Sequence, residues 1–264
     1  MDNASVDGSP AMVQEQFPWV HLIENCKNVG FARANNQAIR HSHGRYVLLL
    51  NSDAQLAPGV LSSMFAFLDA DPAAGIVGVR LASPDGNPQF CYGSFPGLYT
   101  EFRSLFGLHR WDLSFWDALH GPRAVDWVSG ACLMARRVTL DQIGLLDEGF
   151  FMFGEEVDLC YRAARGGWNV YLVPSQPVIH VRAGSTGKTS ERILRLYRGK
   201  LRYAQKHLGR VRSFLISGMI LLSTLGKWAW YTMRAFVQPQ QVSNCLLWTQ
   251  VLRHVLKGAI RDEG

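Results

Sequence analysis

The stretch Leu146 to Asp158 sets Asp147, Glu148, Glu155, Glu156 and Asp158 among Phe150, Phe151, Met152 and Phe153. Carboxylates beside apolar surface are costly unless a metal, a cation or a proton compensates them. A sixth acid, Asp53, follows the apolar run Tyr46 to Leu50 and is expected to fold beside the other five. Asn51 and Asp53 stand two apart, so on an extended segment both side chains point to one side and can face one ion or a phosphate-bound metal. The same residues also suit an ordinary Asx turn. Glu156 at a helix start, facing a pocket lined by the phenylalanines, would have its pKa raised and become a candidate general base. Against that, Glu155, Glu156 and Asp158 are also the acids that a first helical turn favours, and the phenylalanines suit a core.

The elements that must position these residues read as alternating strands and helices. Trp19 to Ile23 predicts a short strand, Phe31 to His41 a helix closed by Gly44, and Tyr46 to Leu50 a strand of the kind buried in a parallel sheet. Pro58 suits the first turn of a helix running to Asp71-Pro72, and Ile76 to Arg80 is the next strand. Ser83 to Gly121, rich in Gly, Pro and aromatics, yields no assignment. Trp127 to Arg136 predicts a strand, Glu155 to Arg165 a helix stopped by Gly166-Gly167, and Asn169 to Val173 and Val178 to Val181 two more strands. Such alternation implies a layered α/β sheet that binds its ligand at the carboxyl ends of strands.

The 264 residues suffice for one substantial core or one core with an appendage. Charge divides them. Residues 1 to 191 hold 14 Lys and Arg against 19 Asp and Glu, a balance of −5, and residues 192 to 264 hold 13 against 2, a balance of +11. Five cysteines without a C-x-x-C pair suggest neither a disulfide framework nor a zinc ribbon, and a reducing cytoplasm is the expected setting. The polar start, Asp2 to Ser9, does not read as a signal peptide. In the tail, residues 192 to 212 carry eight Lys and Arg and no acid, with Leu194, Tyr197, Leu201, Tyr203 and Leu208 near helical spacing. Ser213 to Gly226 is uncharged and short for a membrane span, and Lys227, Trp228, Trp230 and Tyr231 follow. A helix lying on an anionic bilayer fits that pattern, and packing on the body is the alternative. Nucleic acid is not the expected partner, because the aromatics lie in the apolar run and not among the arginines.

Five segments in order carry a family resemblance: Asp2 to Ser9, Asn28 to Asn36, Leu49 to Asp53, Trp127 to Ala131, and Gly144 to Cys160. Over residues 1 to 185 they resemble family 2 glycosyltransferases, in particular the bacterial rhamnosyltransferase-like branch. The resemblance implies the GT-A fold and inverting transfer of a sugar, with rhamnose suggested, from a dTDP- or UDP-sugar to a cell-surface polysaccharide or lipid-linked glycan. It implies Asp2, Asn28, Gly30, Asn35, Asn51 and Asp53 on the nucleotide sugar and Glu156 as catalytic base. It further implies Trp127, Glu155 and Asp158 on the acceptor, with Asp53 and His180 holding Mg²⁺ or Mn²⁺. Asn51 stands where many relatives carry an aspartate. His180 read alone is equally a strand-end histidine bonded to backbone.

Family members begin with a strand and a helix before the motif that here starts at Asp2. Their lack would leave Tyr46 to Leu50 with an unpaired edge. The predicted organisation is therefore a GT-A domain over 1–188, lacking that first strand and helix, and a basic helical region over 189–264. The predicted location is cytoplasmic, peripheral at the inner face of the cell membrane. Two readings compete: a truncated, catalytically silent domain that binds sugar nucleotide or membrane, and a binding module resting on the tail alone.

Overall fold

The computed structural model describes residues 1–108, 121–181, 189–238 and 241–260. The chain divides into two compact units, residues 1–93 with 116–181, and residues 94–115 with 182–264.

In the first unit a five-stranded mixed sheet carries the site. Its order is β1 (Tyr46–Leu50), β9 (Cys132–Arg136), β3 (Ala74–Gly78), β10 (Asn169–Leu172) and β7 (Arg123–Ala124). Only β3 and β10 run parallel; the other neighbours are antiparallel. β3 lies at the centre, and all five of its residues are buried, which explains its run of small and β-branched residues. Gly75 and Gly78 make that packing possible: a Cβ on Gly78 would stand 2.5 Å from Val128 Cβ, and one on Gly75 2.7 Å from Trp168 Cβ.

A second sheet of short strands orders β2 (Ala54–Gln55), β11 (Val178–His180), β4 (Leu81–Ala82) and β5 (Pro88–Gln89), while β6 (Tyr92–Gly93) pairs with β8 (Trp127–Val128). The helices of this unit are α1 (Ser9–Gln16), α2 (Phe31–His41), α3 (Val60–Ala70), α5 (Arg137–Ile143) and α6 (Glu155–Arg165). α3 packs on β3, α5 on β9, and α6 on β3, β8 and β10.

The bounds predicted for α2, β1 and α6 coincide with those observed. Other readings need correction. Trp19 to Ile23 forms no strand; Trp19 is 77% exposed, and among the described residues the pairing nearby is a parallel bridge between Asp2 and Glu24. β1 is not inside a parallel sheet. It is an edge strand, antiparallel to β9 and paired with no described strand on its other side, so Val47 and Leu49 are buried while Leu50 is exposed. The predicted strand Trp127 to Arg136 is two strands, β8 and β9, separated by a turn at Ser129 to Ala131. A cavity of about 570 Å³ lies between β1, β9 and α3, lined in part by Tyr46, Leu61, Phe65 and Met134, and shares no residue with the acidic cluster.

The second unit joins α4 (Leu98–Leu105) to α7 (Thr189–His207), α8 (Gly209–Val237) and α9 (Val242–Ile260). Its core holds Leu201, Ala204, Ile216, Ile220, Trp248, Val251 and Val255. Several tail cations are engaged inside it. Lys200 reaches both oxygens of Glu101 at 2.9 and 3.0 Å, Arg198 donates to His254, and Lys227 lies over the Trp248 ring. No described helix is long and apolar enough to cross a membrane.

Candidate active site

Three loops of the first unit meet around the turn Ser129-Gly130-Ala131. Asn51 N–H donates to Ala131 O (3.0 Å), which brings the end of β1 to that turn. On its other flank, a Cβ on Gly130 would stand 3.6 Å from both Glu156 Cβ and the Phe31 ring. The turn thus has the end of β1 on one flank and the start of α6, with Glu156, on the other.

At the end of β1, His180 Nε2 lies 3.3 Å from Asp53 Oδ1 and 3.2 Å from Asn51 Nδ2. The Asp53 oxygen is buried and has no hydrogen-bond partner, a condition that a bound cation relieves. Among the described residues no group of three His, Cys, Asp or Glu could hold a metal. One carboxylate and one imidazole face each other here, too few to hold a metal without an oxygen-rich ligand supplying the rest.

The start of α6 is strained. Phe153 holds φ at 73° and Gly154 at 99°, and a bulky residue in that region is uncommon outside sites with a special requirement. This kink aims Gly154 N–H at Glu156 Oε2, 3.0 Å away. Burial nevertheless raises the Glu156 carboxyl above its ordinary value. Glu155 beside it is 4% exposed, and its carboxyl is pushed well above the usual range by burial and then by the charge of Glu156. One of its oxygens has no hydrogen-bond partner. Two neighbouring carboxyls cannot both ionise cheaply, so the pair favours Glu155 neutral and Glu156 as the proton acceptor.

The other acids have ordinary partners. Glu148 lies 3.2 Å from Arg40 and 3.8 Å from Arg33, and its pKa is lowered, chiefly by the Asn36 amide. Asp147 accepts from Gly149 N–H at 2.8 Å. Asp158 is fully buried and paired with Arg162 at 2.8 Å; Arg162 in turn donates to the carbonyls of Ile143, Gly144 and Leu145. The acceptor role implied for Asp158 does not fit this position, which holds a turn together.

Of the nucleotide-side residues, Asp2 bridges Glu24 and its carboxylate caps Ser5 N–H at 3.0 Å. Asn28 Oδ1 accepts from Gly30 N–H at 2.9 Å, and Gly30, with φ of 88°, lets Phe31 N–H reach Phe151 O at 2.6 Å. Asn35 donates to Phe31 O within its own helix. Trp127 is partly buried, edge-on to Phe90 and packed over Gly93.

Three residues escaped the sequence reading. Asn3 accepts from Val29 N–H and Asn25 while donating to Asn28, pinning the 28–30 turn. Asn36, 1% exposed, ties α2 to the acidic segment. Gln89 brackets His180 with two hydrogen bonds. A polar side chain amid buried helix positions was the available signal for Asn36; Gln89 lay in the unassigned stretch.

The mixed sheet with flanking helices is a GT-A type architecture. Sequence comparison agrees: the profile of Glycosyl transferase family 2 matches residues 1–124. The N-acetylglucosaminyl-diphospho-decaprenol L-rhamnosyltransferase of Mycobacterium tuberculosis is 31% identical over 205 residues, covering 71% of this chain and 67% of that protein. The rhamnosyltransferase WbbL of Escherichia coli is 30% identical over 57% of this chain and 60% of its own length. The chain belongs to glycosyl transferase family 2. Mannosyltransferase PcManGT from Pyrobaculum calidifontis, solved with GDP-Man and Mn²⁺, has a TM-score of 0.57 at 18% identity over 100% of this chain and 77% of that one, which shows the shared fold.

Proposed function

We propose that this chain transfers a sugar, rhamnose, with inversion from a nucleotide-sugar donor to a hydroxyl of a cell-surface polysaccharide or lipid-linked glycan. The observation that carries this reading is Glu156: a partly exposed carboxylate with a raised pKa, oriented by Gly154 N–H beside Gly130. Glu156 removes the proton of the acceptor hydroxyl as its oxygen bonds to the anomeric carbon; the bond from that carbon to the diphosphate breaks, and the nucleoside diphosphate leaves with the electron pair. Asp2, Asn28, Gly30, Asn35 and Asn51 line the donor side, and Trp127 and Glu155 the acceptor side. Asp53 and His180 would hold Mg²⁺ or Mn²⁺, whose charge stabilises the leaving diphosphate. That the M. tuberculosis and E. coli relatives are rhamnosyltransferases supports rhamnose as the sugar, and the Mn²⁺ bound with GDP-Man in the P. calidifontis mannosyltransferase supports the metal.

We propose peripheral attachment to an anionic membrane through the helical unit. One face of α8 buries Ser213, Ile216, Ile220 and Thr224, while Val211, Phe214, Leu215, Leu222, Met233 and Phe236 form an exposed stripe, Phe236 at 87%. Exposed Arg210 and Arg212 flank the stripe's first turn. An apolar stripe edged by arginine suits the interface of an anionic bilayer, and the proposed location is the cytoplasmic face.

The open edge of β1 supports a second reading, a domain that binds sugar nucleotide without turnover. Calorimetric titration with UDP and dTDP, with and without Mn²⁺, tests the donor site. Binding that requires Mn²⁺ and is lost in Asp53→Ala is the expected result. Metal-independent binding, or binding unchanged in Asp53→Ala, would refute the metal role. Tight binding with no transfer to any acceptor would favour the second reading.

A further inference from the structure

His180 is held on both ring nitrogens. Gln89, 5% exposed at the end of β5, reaches past β4 to β11: its Nε2 lies 2.6 Å from the His180 carbonyl oxygen and its Oε1 3.0 Å from His180 Nδ1. A carbonyl oxygen can only accept, which assigns the amide nitrogen of Gln89 to that contact and turns its oxygen toward the ring. An amide oxygen can only accept in turn, so Nδ1 must carry the proton. In the neutral ring Nε2 then keeps its lone pair. Asn51 Nδ2, 3.2 Å away, is a donor and matches that assignment. Asp53 Oδ1, 3.3 Å from Nε2 and without a hydrogen-bond partner, turns a second acceptor toward the same place.

We propose that Gln89 is the positioning residue of this site: it fixes His180 as the Nδ1–H tautomer and so presents the Nε2 lone pair, beside Asp53, to a divalent cation. The cation half of this statement rests on the metal reading above; the tautomer half does not. The physical reason is general. A metal-ligating imidazole needs its other nitrogen satisfied by an acceptor, which sets the ring's orientation and raises its basicity. Backbone carbonyls or carboxylates commonly fill that role, and here a buried glutamine does so while its amide nitrogen anchors on the same residue's backbone. That double grip keeps the glutamine from rotating and exchanging acceptor for donor.

Two measurements test it. Long-range ¹H–¹⁵N correlation spectra of the metal-free protein, with the His180 ring assigned by loss of its signals in His180→Asn, should show Nδ1 protonated and Nε2 unprotonated in mildly alkaline solution. Gln89→Met, close in volume and at best a weak acceptor, should release the ring to a mixture of tautomers, and Gln89→Glu, whose carboxylate accepts from Nδ1–H, should restore the single form. Electron paramagnetic resonance of Mn²⁺ added with UDP should show affinity lower by about 10- to 100-fold in Gln89→Met. An Nε2–H tautomer in the wild-type protein overturns the proposal, with no variant needed. So does a Gln89→Met protein that binds Mn²⁺ as tightly as wild type. Absence of Mn²⁺ binding in wild type, with Nδ1–H intact, overturns the metal reading and leaves the tautomer assignment standing.

Discussion

Asn36 and Leu146, 110 residues apart, exchange two hydrogen bonds: the Asn36 amide donates to Leu146 O at 2.8 Å and Leu146 N–H donates to Asn36 Oδ1 at 3.0 Å. One buried side chain thus imitates a backbone pairing and fixes the acidic segment against α2. Asn36→Ala should orphan both backbone groups, at roughly 1–3 kcal/mol for each. Urea unfolding measures this, and Asn36→Asp should lose at least as much, because its buried carboxylate would face Leu146 O and the Glu148 carboxylate. A change within the error of the midpoint would show that water or relaxation replaces the pair.

The entrance to α2 makes a second demand. A Cβ on Gly30 would stand 2.6 Å from Phe151 O, and the backbone there sits at φ of 88°. Gly30→Ala should therefore destabilise by more than the roughly 1–3 kcal/mol of left-handed strain alone, and it should weaken nucleotide binding by displacing the 28–30 turn. Thermal melting with calorimetry checks both. Wild-type stability in Gly30→Ala would mean that the loop at Phe151 yields.

Glu155 gives a pH prediction. Burial first, and the charge of Glu156 second, hold its carboxyl well above the ordinary value of 4.5. Its contribution to stability is complete below that ordinary value and is lost as pH rises through the raised folded-state value. Glu155→Gln stays neutral throughout, so its melting temperature relative to wild type should climb as pH rises above the ordinary value of 4.5. A difference constant over that rise would show that Glu155 is already ionised at the lower pH.

For the membrane, paired changes on α8 discriminate. Phe214→Ser with Phe236→Ser removes exposed side chains only and should leave the fold intact while reducing sedimentation with anionic vesicles. High salt should weaken wild-type binding without abolishing it, since screening acts on the arginines and not on the apolar stripe. Equal sedimentation of the two proteins, or no preference for anionic over neutral lipid, would exclude this surface.

Local signals carried much of the architecture. β1 and α6 were legible from an apolar run and from acids ahead of an amphipathic stretch closed by Gly166-Gly167, and α2 from its apolar spacing. What the sequence hid is set by contacts between distant segments. Cys132 to Arg136 and Trp127 to Val128 read as one strand because the turn between them, Ser129 to Ala131, is compact and carries no proline or Asn-Gly signal. Trp19 to Ile23 has strand-like composition but no partner beside it. Within the candidate site, Asp53 and Glu156 stood out by type and position and His180 through the family resemblance, whereas Gln89 acquires meaning only when β5, β4 and β11 assemble. Asp158 misled because charge alone does not reveal Arg162 one helical turn away.

The most direct test of the account is the transfer rate of Glu156→Gln measured beside its donor affinity, using dTDP-rhamnose and an N-acetylglucosaminyl-diphospho-lipid acceptor of the kind named for the mycobacterial relative. The amide keeps the shape of the side chain and cannot take the acceptor's proton. Transfer should fall by about 10²- to 10⁴-fold while calorimetric binding of dTDP with Mn²⁺ stays within a few-fold of wild type. Near-wild-type turnover in Glu156→Gln would place the base elsewhere and contradict the account.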